Sequence, residues 1–223
     1  MHMLQFIYRV FHEGDLGMWP ILAVLLLSLS VIIERFYLLF IKMHFHKQKF
    51  VHDIEQQIMH GHMASALSYS ARFSHPIARI VKAGLLHVNQ PDTWIQSAMD
   101  EEALKAIPQI ERRTGYLAML ANVATLLGLL GTIAGLIRSF SAISQVEGAE
   151  KSMLLSRGIS EAMNCTAFGL IVAIISLVAY AILQSRVQHL IDDIAEVSVS
   201  LLNLVTHHRQ QLKLPTINTG HET

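Results

Sequence analysis

Residues 120–140 read LANVATLLGLLGTIAGLIRSF, and this stretch decides the fold class. It contains no charged side chain before Arg138, and the uncharged run extends back to Tyr116. A helix of that length exceeds the roughly 20 residues needed to cross about 30 Å of hydrocarbon. Glycines and threonines recur along it at helical spacing, a pattern typical of membrane helices that pack closely against other helices. The stretch therefore predicts a membrane-spanning helix with a polar stripe.

Two further apolar blocks complete the predicted membrane region. Residues 162–183 carry no charge, and residues 18–41 are interrupted only by Glu34 and Arg35. We predict an all-α membrane protein with three transmembrane helices and long cytoplasmic helical extensions. The predicted segments are an outer-surface amphipathic helix at 1–17, spans at 18–41, 115–138 and 159–183, a cytoplasmic helical segment at 42–114, a periplasmic loop at 139–158, a cytoplasmic helical tail at 184–215 and a disordered end at 216–223.

Basic residues near the membrane ends predict the orientation, because they concentrate on the cytoplasmic side. They cluster after the first span and before the second, whereas the N-terminal segment offers Arg9 alone. The clustered residues are Lys42, Lys47, Lys49, Lys105, Arg112 and Arg113. We expect a periplasmic N-terminus and a cytoplasmic C-terminus. The 17 basic residues balance the 17 acidic ones, so the composition gives no reason to expect a nucleic acid as partner.

Outside the spans the sequence is helical in pattern. It predicts a helix pair broken at Gly61, a turn at His75–Pro76, and a capping box formed by Thr93 and Gln96. The following helix is expected to run through Arg113 into the second span, with a kink at Pro108. The tail carries a near-heptad apolar seam, to be covered by residues 50–88 or by neighbouring subunits. That seam consists of Val187, Leu190, Ile191, Ile194, Val197, Leu201, Leu204 and Val205.

Small and polar residues of the second and third spans are the candidate functional residues. Gly128, Gly131, Gly135 and Gly169 are the candidates for helix packing, since lipid gives apolar helices little reason to associate. Thr125, Thr132, Asn164 and Thr166 are the candidate lining of a polar path. Thr132 lies six residues inside Arg138, and Thr166 seven residues inside Ile159. Antiparallel neighbours would hold these two threonines at nearly one depth; alternatively, each hydroxyl bonds only to its own helix.

The second and third spans contain no carboxylate and no histidine within residues 116–137 and 162–183. Ion pathways through hydrocarbon usually contain a titratable group, so a proton-carrying carboxylate must come from a partner helix. Glu161 marks the outer mouth, where it is expected to pair with Arg138 or Arg157. Glu34 and Arg35 are interpreted as a structural ion pair or a snorkelling arrangement rather than a gating switch.

The chain's histidines and its lack of known catalytic motifs also bear on function. Among the 13 histidines, the candidates for a metal site are His44-x-His46, His60-x-His62 and His207-His208, but none forms a helical i, i+4 pair with a nearby carboxylate, and solvated surface is the favoured interpretation. No phosphate-binding glycine loop, nucleophile elbow or paired carboxylates typical of an enzyme occur. We therefore expect no metal, no cofactor and no enzymatic activity.

Two motifs carry a family resemblance. NVATLLGLLGTIAGLIRSF at 122–140 and GISEAMNCTAFGLIVAIISLVAY at 158–180 resemble the MotA/TolQ/ExbB proton-channel family, and most closely its ExbB and TolQ branch. Weaker similarity occurs at HPIARIVKAGL, residues 75–85, and at Ile33-Glu34-Arg35. Family members often have a proline where this chain has Ala124, and its Asn164-Cys165 pair is more polar than usual.

The resemblance implies a pentamer in a bacterial inner membrane, with the second and third helices lining a central pore. It further implies an ExbD/TolR-like single-span partner whose membrane aspartate carries the proton, and a TonB-like or Tol-Pal-like system that receives the force. Thr132 and Thr166 match the family's pore threonines by position, and Glu161 matches the glutamate at the outer end of its third helix. Protons are the ion that this branch implies, with sodium as the less favoured choice.

Two alternatives remain open from the sequence. The chain would be a non-conducting scaffold if it only stabilised a single-span partner. It would be a self-sufficient ion channel if it conducted alone, which the missing ionisable residues disfavour.

Overall fold

The computed structural model describes residues 17–43, 45–143 and 148–212. The amphipathic helix expected at 1–17 lies outside the described residues except for Gly17, and the end expected to be disordered at 216–223 lies wholly outside them. Within the described ranges the chain is helical and contains no strand. The helices are α1 (Met18–Phe36, extended by a π-helix at Tyr37–Lys42), α2 (Lys47–Met59), α3 (Met63–Ser70), α4 (Pro76–Leu86), α5 (Asp92–Glu111), α6 (Tyr116–Ile143) and α7 (Ala149–Leu212).

Three of the described helical stretches are long and apolar enough to cross a membrane. They lie within Met18–Met59, Asp92–Ile143 and Glu150–His208, and each contains one of the predicted spans. The all-helical class and the three apolar helices are thereby confirmed. Helix α6 continues to Ile143 and α7 begins at Ala149, so most of the predicted loop at 139–158 is helical.

The described residues form two compact units. The first unit comprises Met1–Leu38 and Arg113–Gln184 as far as they are described, and it contains α1, α6 and the apolar half of α7. Its core joins Met18 and Ile21 of α1 to Ala121 of α6 and Val172 of α7, all fully buried. These contacts hold α1 against the α6–α7 pair.

The second unit comprises Leu39–Arg112 and the described part of Ser185–Thr223. It contains α2 to α5 and the remainder of α7, whose seam is buried as predicted at Val187, Leu190, Ile194, Val197, Leu201 and Val205. Phe50, Ile54 and Val81 line the same small cavity as Val197 and Leu201. The segment 50–88 therefore covers the seam within one chain. Lys47 adds ion pairs to Asp193 at 2.6 Å and to Glu196 at 2.7 Å.

Helix ends in the second unit agree only in part with the sequence pattern. Gly61 has a φ of +75°, which accounts for the predicted break between α2 and α3. The predicted turn at His75–Pro76 also occurs, with Pro76 as the first helical residue of α4. The capping box at Thr93 is wrong, because α5 begins at Asp92 and its N-cap, Pro91, makes no side-chain hydrogen bond.

The expected continuous helix through Arg113 is also wrong. Pro108 sits inside α5, where its missing N–H weakens the helical ladder, and the helix ends one turn later at Glu111. Arg112 is then extended, with φ −46° and ψ 135°, and Arg113 is left-handed, with a φ of +65°. Two separate helices therefore replace the single helix that the sequence pattern favoured.

His75 gives the second unit a pH-dependent stability. Its Nδ1 accepts the Ile77 N–H at 3.3 Å as the cap of α4, and its ring stacks on Phe45 at 4.3 Å between centroids. Burial lowers the pKa of His75, against a smaller opposing effect of the Met43 backbone and Asp193. The unfolded chain therefore binds this proton more readily than the folded one, and stability falls as the pH drops below about 6.5.

We expect His75→Asn to remove this contribution, since asparagine supplies a capping oxygen that does not titrate. The melting temperature of the purified protein should fall less in the variant than in the wild type between neutral pH and a pH below about 6.5. Equal decreases in the two proteins would contradict the assignment. His60→Asn, the same substitution at an exposed histidine of the second unit, controls for the loss of an imidazole as such.

Candidate functional site

Helices α6 and α7 approach so closely that glycine is required on both sides. A Cβ on Gly169 would lie 2.7 Å from the Ala124 carbonyl oxygen and 2.9 Å from the Gly128 Cα. A Cβ on Gly131 would lie 2.9 Å from the Cys165 Cβ, and one on Gly135 would lie 3.1 Å from the Ala162 Cβ. The four glycines singled out in the sequence thus lie in one contact between the second and third apolar helices.

Thr132 and Thr166 meet at this contact. Their hydroxyl groups are hydrogen-bonded to each other, and both side chains are half-buried. The Thr132 hydroxyl also lies 3.1 Å from the Gly128 carbonyl oxygen and 3.3 Å from that of Ala162, while the Thr166 hydroxyl lies 3.2 Å from the Gly128 oxygen. The equal depth inferred from the sequence is therefore present in the structure.

The two hydroxyls have more acceptors than protons. Each threonine has one O–H to donate. The acceptors within reach are the carbonyl oxygens of Gly128 and Ala162 and the two hydroxyl oxygens themselves. One threonine donates to the other, which in turn donates to a carbonyl, and rotation of the hydroxyls exchanges these roles. The threonine pair, Thr132 with Thr166, is thus a small polar group that can reorient inside an otherwise apolar contact.

The other two candidate path residues, Thr125 and Asn164, are not joined across the helix contact. Thr125 is exposed, and its hydroxyl donates to the Ala121 carbonyl of its own helix at 3.1 Å. This is the local bonding that the sequence left open as an alternative for the threonines. Asn164 is half-buried and lies two residues before Thr166. Among the four candidates, only Thr132 and Thr166 are joined across the helix contact.

Charged side chains lie at the end of the contact near Arg138. The Arg157 Nε donates to the Glu161 carboxylate at 2.9 Å, one of the two pairings that the sequence suggested. The Arg138 Nε lies 3.4 Å from the Ala134 carbonyl oxygen of its own helix. Arg138 and Glu161 both line a cavity of about 60 Å³ between α6 and α7.

A second set of charges lies where α1 ends and α6 begins. Glu34 forms an ion pair with Arg113, while Arg35 is only 3% exposed. The sequence pattern favoured a pair between Glu34 and Arg35 or a snorkelling arrangement, and it did not indicate Arg113 as the partner of Glu34. The missed signal was position: Arg113 stands three residues before α6, at the same predicted end of the spans as Glu34.

Metal chemistry finds no support in the described residues. Across ranges 17–43, 45–143 and 148–212, no group of three His, Cys, Asp or Glu side chains is placed to hold a metal ion. The only cysteine, Cys165, is buried between α6 and α7. The candidate site therefore consists of hydroxyls, backbone carbonyls and the charged groups at the ends of the helices.

Comparison with known proteins identifies the family of the chain. Residues 72–196 match the model of the MotA/TolQ/ExbB proton channel family, and they include the whole of α6 and the threonine pair. The chain belongs to this family. It is 30% identical over 165 residues to the putative biopolymer transport protein ExbB-like 3 of Synechocystis sp., covering 74% of this chain and 78% of that protein.

Proteins of the ExbB and TolQ branch match over shorter regions. TolQ of the Tol-Pal system of Haemophilus influenzae is 36% identical over 96 residues, which are 43% of this chain and 42% of TolQ. The biopolymer transport protein ExbB of Salmonella typhimurium is 32% identical over 93 residues, or 42% of this chain and 38% of that ExbB. The resemblance seen in the sequence, including its ExbB/TolQ branch, is confirmed.

Membership of the family and the three apolar helices make the chain a bacterial inner-membrane, energy-transducing subunit of the proton-channel class. The family is associated with channels and transport rather than with enzymes. The matched residues begin at 72, so α1 with Glu34 and Arg35 lies outside them. In this ExbB/TolQ-type chain, the family match therefore covers α4, α5, α6 and α7 as far as residue 196, including the threonine pair.

The ion pair between Glu34 and Arg113 gives a prediction about this ExbB/TolQ-type subunit. Both side chains are about two-fifths exposed, and pairs of this kind contribute about 0.2–1 kcal/mol. Glu34→Arg or Arg113→Glu alone should lower the melting temperature, and the double exchange should recover most of the loss. A double-mutant cycle on the purified protein measures the coupling. Additive losses would show that the pair contributes nothing.

Proposed function

We propose that the chain lines the proton path of a proton-motive-force-driven complex, around an ExbD/TolR-like single-span partner. The observation that supports this function is the threonine pair joined between the uncharged parts of α6 and α7, residues 116–137 and 162–183, which contain no carboxylate. Hydroxyls can bind water and pass hydrogen bonds, but neither threonine titrates near neutral pH. The protonatable group is therefore the membrane aspartate of the partner.

The proposed assembly is a homopentamer with the partner in its centre. Large apolar side chains on the surface of α6 and α7 support contacts with lipid and with other copies, because this chain alone leaves them uncovered. They include Leu126, Leu129, Leu130, Ile133, Ile137, Ile171, Ile174 and Val178. The complex powers an outer-membrane or envelope process, through a TonB-like or Tol-Pal-like system.

The proposed orientation places the N-terminus in the periplasm and the C-terminus in the cytoplasm. The lysines at 42, 47 and 49 and the arginines at 112 and 113 support it by the positive-inside rule. The second unit is then cytoplasmic, and Arg138 and Glu161 lie at the periplasmic ends of their helices. Protons are the transported ion that the family supports, and sodium is less favoured.

Replacing the partner's membrane aspartate by asparagine tests the function in cells. The amide keeps the size of the side chain but cannot carry a proton, so the complex should assemble in normal amount while the energised process stops. The amount of complex is measured by co-purification with this chain. Full activity of the asparagine variant would favour the alternative, a non-conducting scaffold that only stabilises its partner.

A further inference from the structure

Helix α1 starts directly beside the cavity between α6 and α7. A Cβ on Gly17, the residue before α1, would lie 3.4 Å from the Gly131 Cα and 3.6 Å from the Cys165 Sγ. Gly131 and Cys165 both line the cavity. Met18, the first residue of α1, is fully buried in the core that joins the three helices. The N-terminal segment, residues 10–16 with the sequence VFHEGDL, is therefore connected to α1 at the edge of this cavity.

The α6–α7 contact extends beyond the start of α1. Helix α1 runs antiparallel to α6, since Gly17 lies at Gly131 while Glu34 pairs with Arg113 at the other end. Past Gly131, α6 continues for about 18 Å to its end. This stretch carries Arg138 and with it the charged wall of the cavity. The residues of α1 do not reach that wall, whereas the chain that precedes α1 starts next to it.

The charges of the cavity favour an acidic occupant. Of the described residues that line it, Arg138 is the only cation and Glu161 the only carboxylate. The Glu161 carboxylate already accepts a hydrogen bond from the Arg157 Nε at 2.9 Å. The N-terminal segment contains two carboxylates, Glu13 and Asp15, and neither lysine nor arginine. The cavity and the N-terminal segment are therefore complementary in charge.

The spacing of the residues puts both carboxylates within reach of Arg138. Arg138 follows Gly131 by seven residues, which is about 10 Å along α6. Asp15 and Glu13 precede Gly17 by two and four residues, so an extended chain carries them up to about 7 and 14 Å from it. A carboxylate at the edge of the apolar part of a membrane is costly unless a cation pairs with it. Arg138 supplies a cation at that height.

We propose that the N-terminal segment docks on this cavity, with Glu13 and Asp15 held by the guanidinium of Arg138. Helices α6 and α7 form two walls of the cavity, and residues 10–16 of the same chain form the third. The contact fixes the start of α1 against both helices and covers Cys165 from the surroundings. It lies within one chain and does not depend on whether the complex conducts ions.

Cys165 reports on this docking, because it is the only cysteine of the chain and lines the cavity. The probe is N-ethylmaleimide, a neutral reagent, applied to the purified full-length chain in mild detergent. Glu13→Gln combined with Asp15→Asn removes the two negative charges with little change of shape, and Arg138→Gln removes the positive one. The two changes alter the charge near the thiol in opposite senses. A faster reaction in both therefore reports the loss of cover rather than a change in thiol reactivity.

We expect Cys165 to react about two- to fivefold faster in both variants than in the wild type, the factor that partly exposed ion pairs can contribute. The three substitutions together should add little more, since either change removes the same contact. The matched control is Asp100→Asn combined with Glu111→Gln, an aspartate and a glutamate exposed on α5. The control should react at the wild-type rate.

Cleavage after Glu13 by endoproteinase Glu-C provides a second measurement, which does not require the reagent to reach the thiol. Arg138→Gln should speed this cleavage, because the released segment enters the protease more readily. Lys151→Gln, which removes another exposed cation near the start of α7, should leave the rate unchanged. Faster cleavage in Arg138→Gln alone would uphold the docking even if the helix contact itself shields Cys165. Equal cleavage of the wild type and Arg138→Gln would overturn the inference, whatever the labelling shows.

Discussion

Gly169→Val is expected to prevent stable packing of α6 against α7. Even the first carbon of the new side chain would lie 2.7 Å from the Ala124 carbonyl oxygen and 2.9 Å from the Gly128 Cα, and both of these are backbone atoms. Backbone cannot give way as the end of a flexible side chain can, so the helices must separate. Overpacking of this kind typically costs about 1–3 kcal/mol, and separation would also break the hydrogen bonds of the threonine pair.

The measurement is the amount and melting temperature of the oligomer purified in mild detergent. Gly115→Val is the matched control, because a Cβ at Gly115 meets no atom within 4 Å. The control should accumulate and melt like the wild type, whereas Gly169→Val should be lost or melt at a clearly lower temperature. Wild-type behaviour of Gly169→Val would contradict the close helix contact.

Thr132→Val together with Thr166→Val is expected to abolish the energised process while the complex still assembles. Valine keeps the shape of threonine but removes the hydroxyl, so the threonine pair can no longer bind water or reorient hydrogen bonds. Each interhelical hydrogen bond in a membrane contributes only about 0.6 kcal/mol on average, with a maximum near 1.7. The lost function should therefore exceed anything that the lost stability explains.

Thr125→Val is the control for this double substitution. Thr125 bonds only to the Ala121 carbonyl of its own helix among the hydrogen bonds described for it, so its replacement should preserve function. Co-purification with the partner measures assembly for all three proteins, and the energised process measures function. Full function in the double variant would remove the threonine pair from the proposed proton path.

The depth of the threonines could be predicted from the sequence, because helical rise converts residue number into height. Counting residues from Arg138 and from Ile159 puts Thr132 and Thr166 at nearly one depth, and the structure joins their hydroxyls. The buried seam of α7 was also predictable, since apolar periodicity reports which face a helix covers. These features depend on position along a helix alone.

Features that depend on how helices rotate against each other could not be predicted. The sequence marked Gly128 and Gly169 as small, but their direct opposition and the cavity beside Cys165 require the orientation of both helices. The end of α5 was missed for another reason. Pro108 indicated a kink, but Arg113 adopts a left-handed conformation that usually calls for glycine or asparagine, so its residue type did not indicate a complete break there.

The central claim is that this chain shapes the proton path and its partner carries the proton. Proton flux into liposomes under an imposed pH gradient tests it most directly. Three preparations are compared: the chain with its single-span partner, the same complex with the partner's membrane aspartate changed to asparagine, and the chain alone. We predict flux from the first preparation only. Equal flux from the chain alone would contradict the account, because it would show a self-sufficient channel.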